Sequence, residues 1–130
     1  MPVETALMTS DEAEAFAVEW VDAWNARQLE RVLTHFHDDV ELTSPTALAV
    51  VGVPTVHGKG ALRDYWTQAL ASRPSPVFTL DRVVWDAGRR ELAIVYTSVI
   101  NGNRRRGSEH LRFDAAGLVI AAEVFHGITT

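Results

Sequence analysis

The chain of 130 residues contains no cysteine, and this absence excludes several kinds of site. Without cysteine there is no disulfide framework, no thiolate nucleophile and no cysteine-ligated zinc or iron–sulfur centre. No apolar run approaches the roughly 20 residues that a membrane-spanning helix needs, and residues 1–10 lack the basic start and apolar core of a signal peptide. We therefore expect a cytoplasmic protein that does not associate with membranes.

Positive charge and recognised catalytic motifs are also scarce. The 12 lysines and arginines against 17 aspartates and glutamates give a net charge of −5, which argues against nucleic acid as a partner because phosphates require a clustered basic face. There is no Gly-rich phosphate loop, no Gly-x-Ser-x-Gly and no His-Glu-x-x-His. His35, His37 and Asp39 alternate along the chain, but positions i and i+2 do not share a helix face. We expect no metal and no other cofactor.

The composition that remains is that of one globular domain, with 47% hydrophobic and 22% charged residues. A chain of this length buries about two-thirds of its unfolded surface. No repeat or long linker divides it. We interpret residues 1–8 as a loose lead-in and residues 9–130 as a single domain.

Three helices are predicted in the N-terminal half. Thr9 and Glu12 have the spacing of a capping box, so the first helix should begin there. Apolar residues then recur at helical spacing, at Ala13, Phe16, Ala17, Trp20 and Trp24. A second, short helix has one apolar stripe, formed by Leu29, Val32, Leu33 and Phe36. The third helix is predicted over residues 59–71, with inward positions at Leu62, Trp66, Ala69 and Leu70.

Between the second and third helices we predict one short strand, over residues 40–44, which Pro45 ends. Residues 46–57 are interpreted as a loop with some extended character, because Gly52 and Pro54 interrupt an apolar stretch. The sequence does not show whether this loop closes over a site.

After Pro74 and Pro76 the apolar period changes from that of a helix to that of a strand. Strands are predicted over residues 77–85, 91–100, 103–113 and 118–126. Asn101-Gly102 favours a type I′ hairpin turn. The predicted fold is α+β, with three N-terminal helices packed on a strongly curved antiparallel sheet that forms a cone.

The two tight turns also predict which residues lie opposite each other. The turn at 101–102 pairs Ser98 with Arg105, Tyr96 with Gly107 and Ile94 with Glu109. A turn at 114–117 pairs Glu109 with Ala122 and Arg105 with His126. The face that results is apolar. Its members are Leu92, Ile94, Tyr96, Ser98, Glu109, Leu111, Phe113, Leu118, Ile120, Ala122 and Val124.

Glu109 is the one carboxylate on this apolar face of the meander. A charged carboxylate there is costly, so its pKa should rise or it must find a partner. Arg105, Ser98 and His126 gather at one end of the same face and predict the rim of a cleft. Two alternatives stay open: a register slip by one residue turns Glu109 to solvent, or Glu109 only pairs with Arg105 or Tyr96.

The order of elements and three local motifs resemble the nuclear transport factor 2-like superfamily, in its branch of ketosteroid isomerases and SnoaL-like polyketide cyclases. The motifs are residues 37–45 (HDDVELTSP), residues 58–66 (GKGALRDYW) and residues 109–113 (EHLRF) with Gly117. The resemblance covers residues 10–127 and implies an α+β cone with a cavity. Because this fold hosts many unrelated activities, it does not define the function.

The resemblance carries over only part of the isomerase site. The position of the isomerase's aspartate base is Ser44 here, its oxyanion-binding tyrosine falls on Trp20, and its protonated aspartate falls on Glu109. The acid/base pair of SnoaL-type cyclases has no clear match, with His126 and Glu109 the nearest substitute. The Asp–Arg–Asp set of limonene epoxide hydrolases is absent from the sequence. Steroid isomerisation by the isomerase mechanism is therefore not expected.

We predict a small-molecule acid/base enzyme of the isomerase, cyclase or hydratase type, acting on an apolar, oxygen-bearing cyclic substrate. The predicted catalytic residues are Glu109, Tyr96 and His126. The predicted substrate-binding residues are Trp20, Trp24, Phe36, Ser44, Tyr65, Trp66, Ile94, Ser98, Arg105, Leu111, Phe113, Ala122 and Val124.

Two alternatives to an enzyme stay open. The first is a non-catalytic ligand-binding or dimeric interaction domain, and the second is a cavity filled by its own tryptophans. We interpret Arg104–Arg106 as mainly a solvated tip, with Arg105 aimed at the rim. The outer face of the meander mixes apolar and polar residues, and members of this fold commonly dimerise there. We expect a homodimer through that face.

Overall fold

The computed structural model of the protein describes residues 6–130, which form four helices and six strands. The helices are α1 (Ser10–Asn25), α2 (Leu29–Leu33), α3 (Pro45–Val51) and α4 (Lys59–Ser72). The strands are β1 (Phe36–Thr43), β2 (Thr55–His57), β3 (Val77–Asp86), β4 (Glu91–Ile100), β5 (Asn103–Phe113) and β6 (Val119–Thr129).

The six strands form one open sheet in the order β2-β1-β6-β5-β4-β3. The predicted antiparallel meander of β3 to β6 is present, and β1 extends it by pairing in parallel with β6. The predicted α+β class is confirmed. The structure adds a fourth helix and places a parallel pair within the sheet.

The capping box predicted at Thr9 is present, with the Thr9 side chain accepting from the Glu12 backbone N–H at 3.1 Å and the Glu12 carboxylate accepting from the Thr9 backbone N–H at 3.0 Å. Part of the predicted lead-in, residues 1–5, lies outside the described residues. Leu7 and Met8 pack against the core, and the carbonyl of Met8 accepts a hydrogen bond from Nε1 of Trp85 at 3.0 Å.

The prediction for the second helix was wrong at its C-terminal end. Helix α2 ends at Leu33, and Phe36 begins a strand instead of completing the helical stripe. The cause is a long-range partner, because the N–H of Val119 donates to the carbonyl of His35 at 2.8 Å and Phe36 pairs with Val119 in the sheet.

The loop predicted over residues 46–57 was also wrong, since this segment contains α3 and β2. Ser44 caps the first turn by accepting from the N–H of Thr46 at 3.1 Å, and Pro45 occupies the first helical position, which suits proline because no N–H is needed there. After α3 the chain returns along β1, with Thr55 opposite Thr43.

The predicted register is confirmed for β4 and β5, where the turn holds Asn101 and Gly102 at φ 51° and 80°. It was wrong for β5 and β6. Asp114 Oδ1 accepts from the N–H groups of both Ala116 and Leu118, which lengthens the turn.

The longer turn moves the register by one residue, so that Phe113 pairs with Val119. An irregularity between Arg112 and Phe113 moves it by one more, and Val119 is buried in place of Ile120. Glu109 consequently lies opposite Val124 rather than Ala122, and His126 lies opposite Gly107 rather than Arg105.

Helix α1 lies against β3 and encloses one side of the core. The side chain of Asn25 exchanges two hydrogen bonds with the backbone of Phe78, each 2.8 Å long, and so fixes the C-terminal end of α1 to the sheet. Helix α4 packs against β1 on the other side. Within residues 6–130, no helix has both the length and the apolar character required to cross a bilayer.

Candidate active site

A cavity of about 300 Å³ opens between α1, α4 and the concave face of the sheet. This volume is at the lower end of the range typical of small-molecule sites. Eleven of the predicted site residues line it. They are Trp20, Trp24, Ser44, Tyr65, Trp66, Tyr96, Ser98, Arg105, Glu109, Val124 and His126. The tryptophans therefore leave space among them instead of filling the cavity.

Five predicted binding residues belong to the core and do not line the cavity. They are Phe36, Ile94, Leu111, Phe113 and Ala122. Phe36 packs edge-on behind Trp66, with ring centroids 5.4 Å apart, and Phe113 packs against Phe16 at 5.2 Å. Strand parity put the other four on the correct face, whereas Phe36 was predicted from the stripe of the second helix. Helix side chains cover Phe36 and Phe113.

Ten lining residues were not predicted. They are Arg27, Thr46, Ala69, Leu70, Arg73, Pro74, Ser75, Pro76, Phe78 and Ile100. Ile100 has the same strand parity as Ser98 and could have been included on that signal. The segment after α4 carries no periodic pattern, and only the fold brings it to the mouth of the cavity.

Among the described residues that line the cavity, Glu109 is the only carboxyl group, and its side chain is buried, with 6% of the residue exposed. Within residues 6–130 it forms no ion pair, and burial raises its pKa to about 8. At neutral pH the group is therefore mainly a neutral acid that can donate a hydrogen bond or a proton. The predicted alternative of a register slip to solvent does not occur.

Gly107 provides the space that Tyr96 occupies beside Glu109. A Cβ atom at Gly107 would lie 2.8 Å from Cε2 of Tyr96, so the ring crosses directly over the glycine. His126 is the partner of Gly107 on the neighbouring strand. The three predicted catalytic residues thus lie around Gly107, on adjacent strands.

The environments of these groups favour different protonation states. Burial raises the pKa of Tyr96, and the charge of Glu109 raises it further. Burial lowers the pKa of the His126 imidazole, and the neighbouring Arg105 lowers it further. Near neutral pH the cavity therefore combines a protonated carboxyl, a protonated phenol and a neutral imidazole.

The aromatic wall of the cavity holds two indole N–H groups without partners. Nε1 of Trp20 and Nε1 of Trp24 are buried, and neither donates to any atom of the described residues. Trp24 packs edge to face against Trp66, with ring centroids 4.8 Å apart, and Trp20 packs at a tilt of 40° against Tyr96, with ring centroids 6.0 Å apart. Since an unpaired buried donor is costly, each group requires an acceptor that the described residues do not supply.

Two other histidines lie away from the cavity. His57 is exposed and contacts Glu41 at 3.2 Å, and Nδ1 of His37 accepts a hydrogen bond from the backbone N–H of Asp39 at 2.9 Å. Among the described residues there is no group of three or more histidine, aspartate or glutamate side chains placed to hold a metal ion.

Comparison with protein families places this arrangement in a known group. The SnoaL-like domain family matches residues 17–122, which include both α1 tryptophans and Glu109. The chain belongs to the SnoaL-like domain family. None of the curated proteins matches this SnoaL-like domain.

Solved structures agree with the fold. A SnoaL-like protein of unknown function from Burkholderia thailandensis is similar, with 29% identity, a TM-score of 0.82, and coverage of 92% of this chain and 98% of that one. A steroid delta-isomerase from Pseudomonas aeruginosa has 19% identity, a TM-score of 0.69, and coverage of 95% and 85%. A computationally designed 17-OHP binder has 20% identity, a TM-score of 0.68, and coverage of 91% and 95%. Several neighbours are described as NTF2-like.

Replacing Gly107 with alanine should destabilise this SnoaL-like domain. The new Cβ would collide with the buried ring of Tyr96, and overpacking of this kind costs about 1–3 kcal/mol. Denaturant unfolding followed by tryptophan fluorescence measures the change. Gly60→Ala is the control, because a Cβ there meets nothing within 4 Å. Equal stability of Gly107→Ala and wild type would contradict the described packing.

The raised pKa of Glu109 predicts that stability falls as pH rises. The unfolded chain releases this proton near 4.5 and the folded chain near 8. Between these values the folded state binds more protons, so the free energy of unfolding falls by up to about 1.4 kcal/mol per pH unit. Below 4.5 both states are protonated and this dependence disappears.

Glu109→Gln removes that dependence. We expect the variant to gain stability relative to wild type between about pH 4 and about pH 9, because folding of wild type must take up a proton in the lower part of this range and bury a charge in the upper part, whereas glutamine requires neither. Denaturant unfolding across this range measures the difference. Glu123→Gln, which changes an exposed carboxylate of β6, should follow wild type. If the free energies of unfolding of Glu109→Gln and wild type change with pH in parallel, the pKa of Glu109 is not raised by folding.

Proposed function

We propose that this SnoaL-like domain is a small-molecule acid–base enzyme of the isomerase, cyclase or hydratase type. The substrate would be an apolar cyclic compound bearing oxygen. The observation that carries the proposal is Glu109, a single buried carboxyl group with a pKa of about 8, on the wall of an otherwise largely aromatic cavity. Perturbed groups in clefts are typical of catalytic sites.

In the proposed reaction Glu109 donates a proton or a strong hydrogen bond to a substrate oxygen. Charge that develops on this oxygen is stabilised where water is scarce, so the interaction is stronger than it would be in bulk solvent. Tyr96 adds a second donor beside it. His126, which is neutral near pH 7, accepts a proton from substrate or water. An acid and a base whose pKa values are shifted in opposite directions are suited to this division of roles.

Ser44 cannot replace the aspartate base that the family resemblance implies at its position. Its hydroxyl caps α3 by accepting a hydrogen bond from the N–H of Thr46, and a neutral hydroxyl is a much weaker base than a carboxylate. This supports a reaction different from steroid isomerisation by that mechanism. Two neighbours of the same fold are a steroid delta-isomerase and a designed 17-OHP binder. They support a ring compound as the substrate of this domain but do not specify it.

A non-catalytic ligand-binding domain is the second candidate. It is favoured because the part of the chain that the structure describes places no second carboxyl group on the lining. The homodimer through the outer face of the sheet also stays a prediction. Phe125, which is 46% exposed on that face, and the half-buried Val95 and Ala121 give it an apolar surface to use.

Proton exchange at a model ketone tests the catalytic role. We expect wild type to accelerate exchange of the α-protons of 2-tetralone into D₂O, and Glu109→Gln to lower that rate by about 100-fold, the lower range for one acid–base group. Proton NMR follows the exchange, and calorimetry follows the affinity. The affinity should change little, because glutamine has nearly the same shape as a protonated glutamate.

Glu123→Gln serves as the matched control and should exchange at the wild-type rate. If Glu109→Gln exchanges as fast as wild type, Glu109 is not the acid of this reaction. If wild type binds the ketone without accelerating exchange, the binding-domain candidate is favoured instead.

A further inference from the structure

The polar groups of the cavity are unbalanced in charge. Its lining includes the guanidinium groups of Arg27, Arg73 and Arg105, and Glu109 is the one carboxyl that residues 6–130 contribute to it. Within residues 6–130 none of these three arginines forms an ion pair with Asp or Glu, whereas Arg31 and other surface arginines do. The site therefore presents cationic groups that no carboxylate of the described chain neutralises.

The arginines occupy defined positions near the open end of the cavity. Arg105 lies on the same face of β5 as Glu109, four residues away, which is about 13 Å along a strand. One of its terminal nitrogens is 3.4 Å from Nε2 of His126. Arg73 follows the last residue of α4. Arg27 is held in place by donating to the carbonyls of Trp24 and Pro76 at 3.1 and 2.7 Å.

Deeper in the cavity, the available polar groups are mainly donors. The indole N–H groups of Trp20 and Trp24 have no partner among the described residues, and Glu109 carries its proton at neutral pH. Ser98 and Ser44 are already engaged, since Ser98 donates to the carbonyl of Arg105 at 3.3 Å and Ser44 caps α3. The interior therefore suits an uncharged oxygen acceptor, and the mouth suits an anion.

We propose that the substrate class is a ring-containing carboxylic acid with a second, uncharged oxygen. Its carboxylate binds Arg105 and Arg73 at the mouth, and its rings and uncharged oxygen lie among Trp20, Trp24 and Glu109. This inference rests on the proposed function, and it names the substrate of the same site.

A carboxylate is favoured over a phosphate for a geometric reason. The planar guanidinium group matches the two oxygens of a carboxylate, whereas phosphate sites commonly add a cradle of backbone N–H groups, often Gly-rich. The sequence has no such loop. A carboxylate would also draw the guanidinium of Arg105 away from His126, which leaves Nε2 free to accept a proton in the proposed reaction.

Calorimetry with a matched pair of probes tests the substrate class. The first probe is 6-acetyl-2-naphthoate, and the second is its uncharged carboxamide. We expect wild type to bind the acid at least about tenfold more tightly than the amide, as hydrogen bonds to a charged group imply. Added salt should weaken binding of the acid and leave binding of the amide unchanged, because only the acid is held by charge.

Arg105→Gln and Arg73→Gln identify the groups responsible. Each should lower the affinity for the acid, with about a tenfold loss for Arg105→Gln. Each should leave the affinity for the amide unchanged. Arg104→Gln is the matched control, because Arg104 precedes Arg105 on β5 and belongs to the exposed face. Circular dichroism of each variant establishes that it is folded.

Three results would overturn the substrate class: equal affinity for acid and amide in wild type, a preference for the acid that survives Arg105→Gln combined with Arg73→Gln, or tighter binding of 2-naphthyl phosphate than of the acid. Absence of acid binding also counts against it. These outcomes are separate from the exchange experiment with neutral 2-tetralone. If exchange depends on Glu109 while the acid binds no more tightly than the amide, the proposed function stands and only the substrate class fails.

Discussion

The position of Glu109 is imposed by backbone pairing on both sides of its strand. Strand β5 lies between β4 and β6, with Ile94 and Val124 as the two neighbours of Glu109. To turn this carboxyl to solvent, the strand would have to slip by one residue, which would expose the buried Leu111 as well. The sheet therefore holds an ionisable group in a place where its charge is unfavourable, and the pKa of the group changes instead.

The surroundings of Glu109 keep its pKa raised and supply the other groups of the proposed acid–base site. Gly107 allows Tyr96 to cover the neighbouring part of the strand, and α1 contributes two tryptophans that exclude water without supplying an acceptor. Arginines collect only toward the mouth. The domain thus separates an interior of neutral donors from a cationic entrance, and this separation underlies both the proposed acid–base chemistry and the proposed substrate class.

Local patterns in the sequence were sufficient for part of this structure. The helix start at Thr9 and the hairpin at Asn101-Gly102 depend on neighbouring residues, and both were predicted correctly. The burial of Glu109 followed from the period of two and that hairpin. Errors arose where a distant segment, or a local irregularity without a sequence pattern, determines the outcome. Phe36 joins a strand because β6 offers it a parallel partner. The side chain of Asp114 lengthens a turn, and together with the irregularity that follows it changes the partner of His126.

Direct titration of Glu109 tests the central claim. Carbon-13 NMR of the side-chain carboxyl carbons, with Glu109→Gln used to assign the resonance, gives the pKa of this group in the folded protein. The account predicts a midpoint near 8, well above the ordinary 4.5. A midpoint at the ordinary value would mean that the carboxyl is solvated, and it would contradict the acid–base role proposed for it.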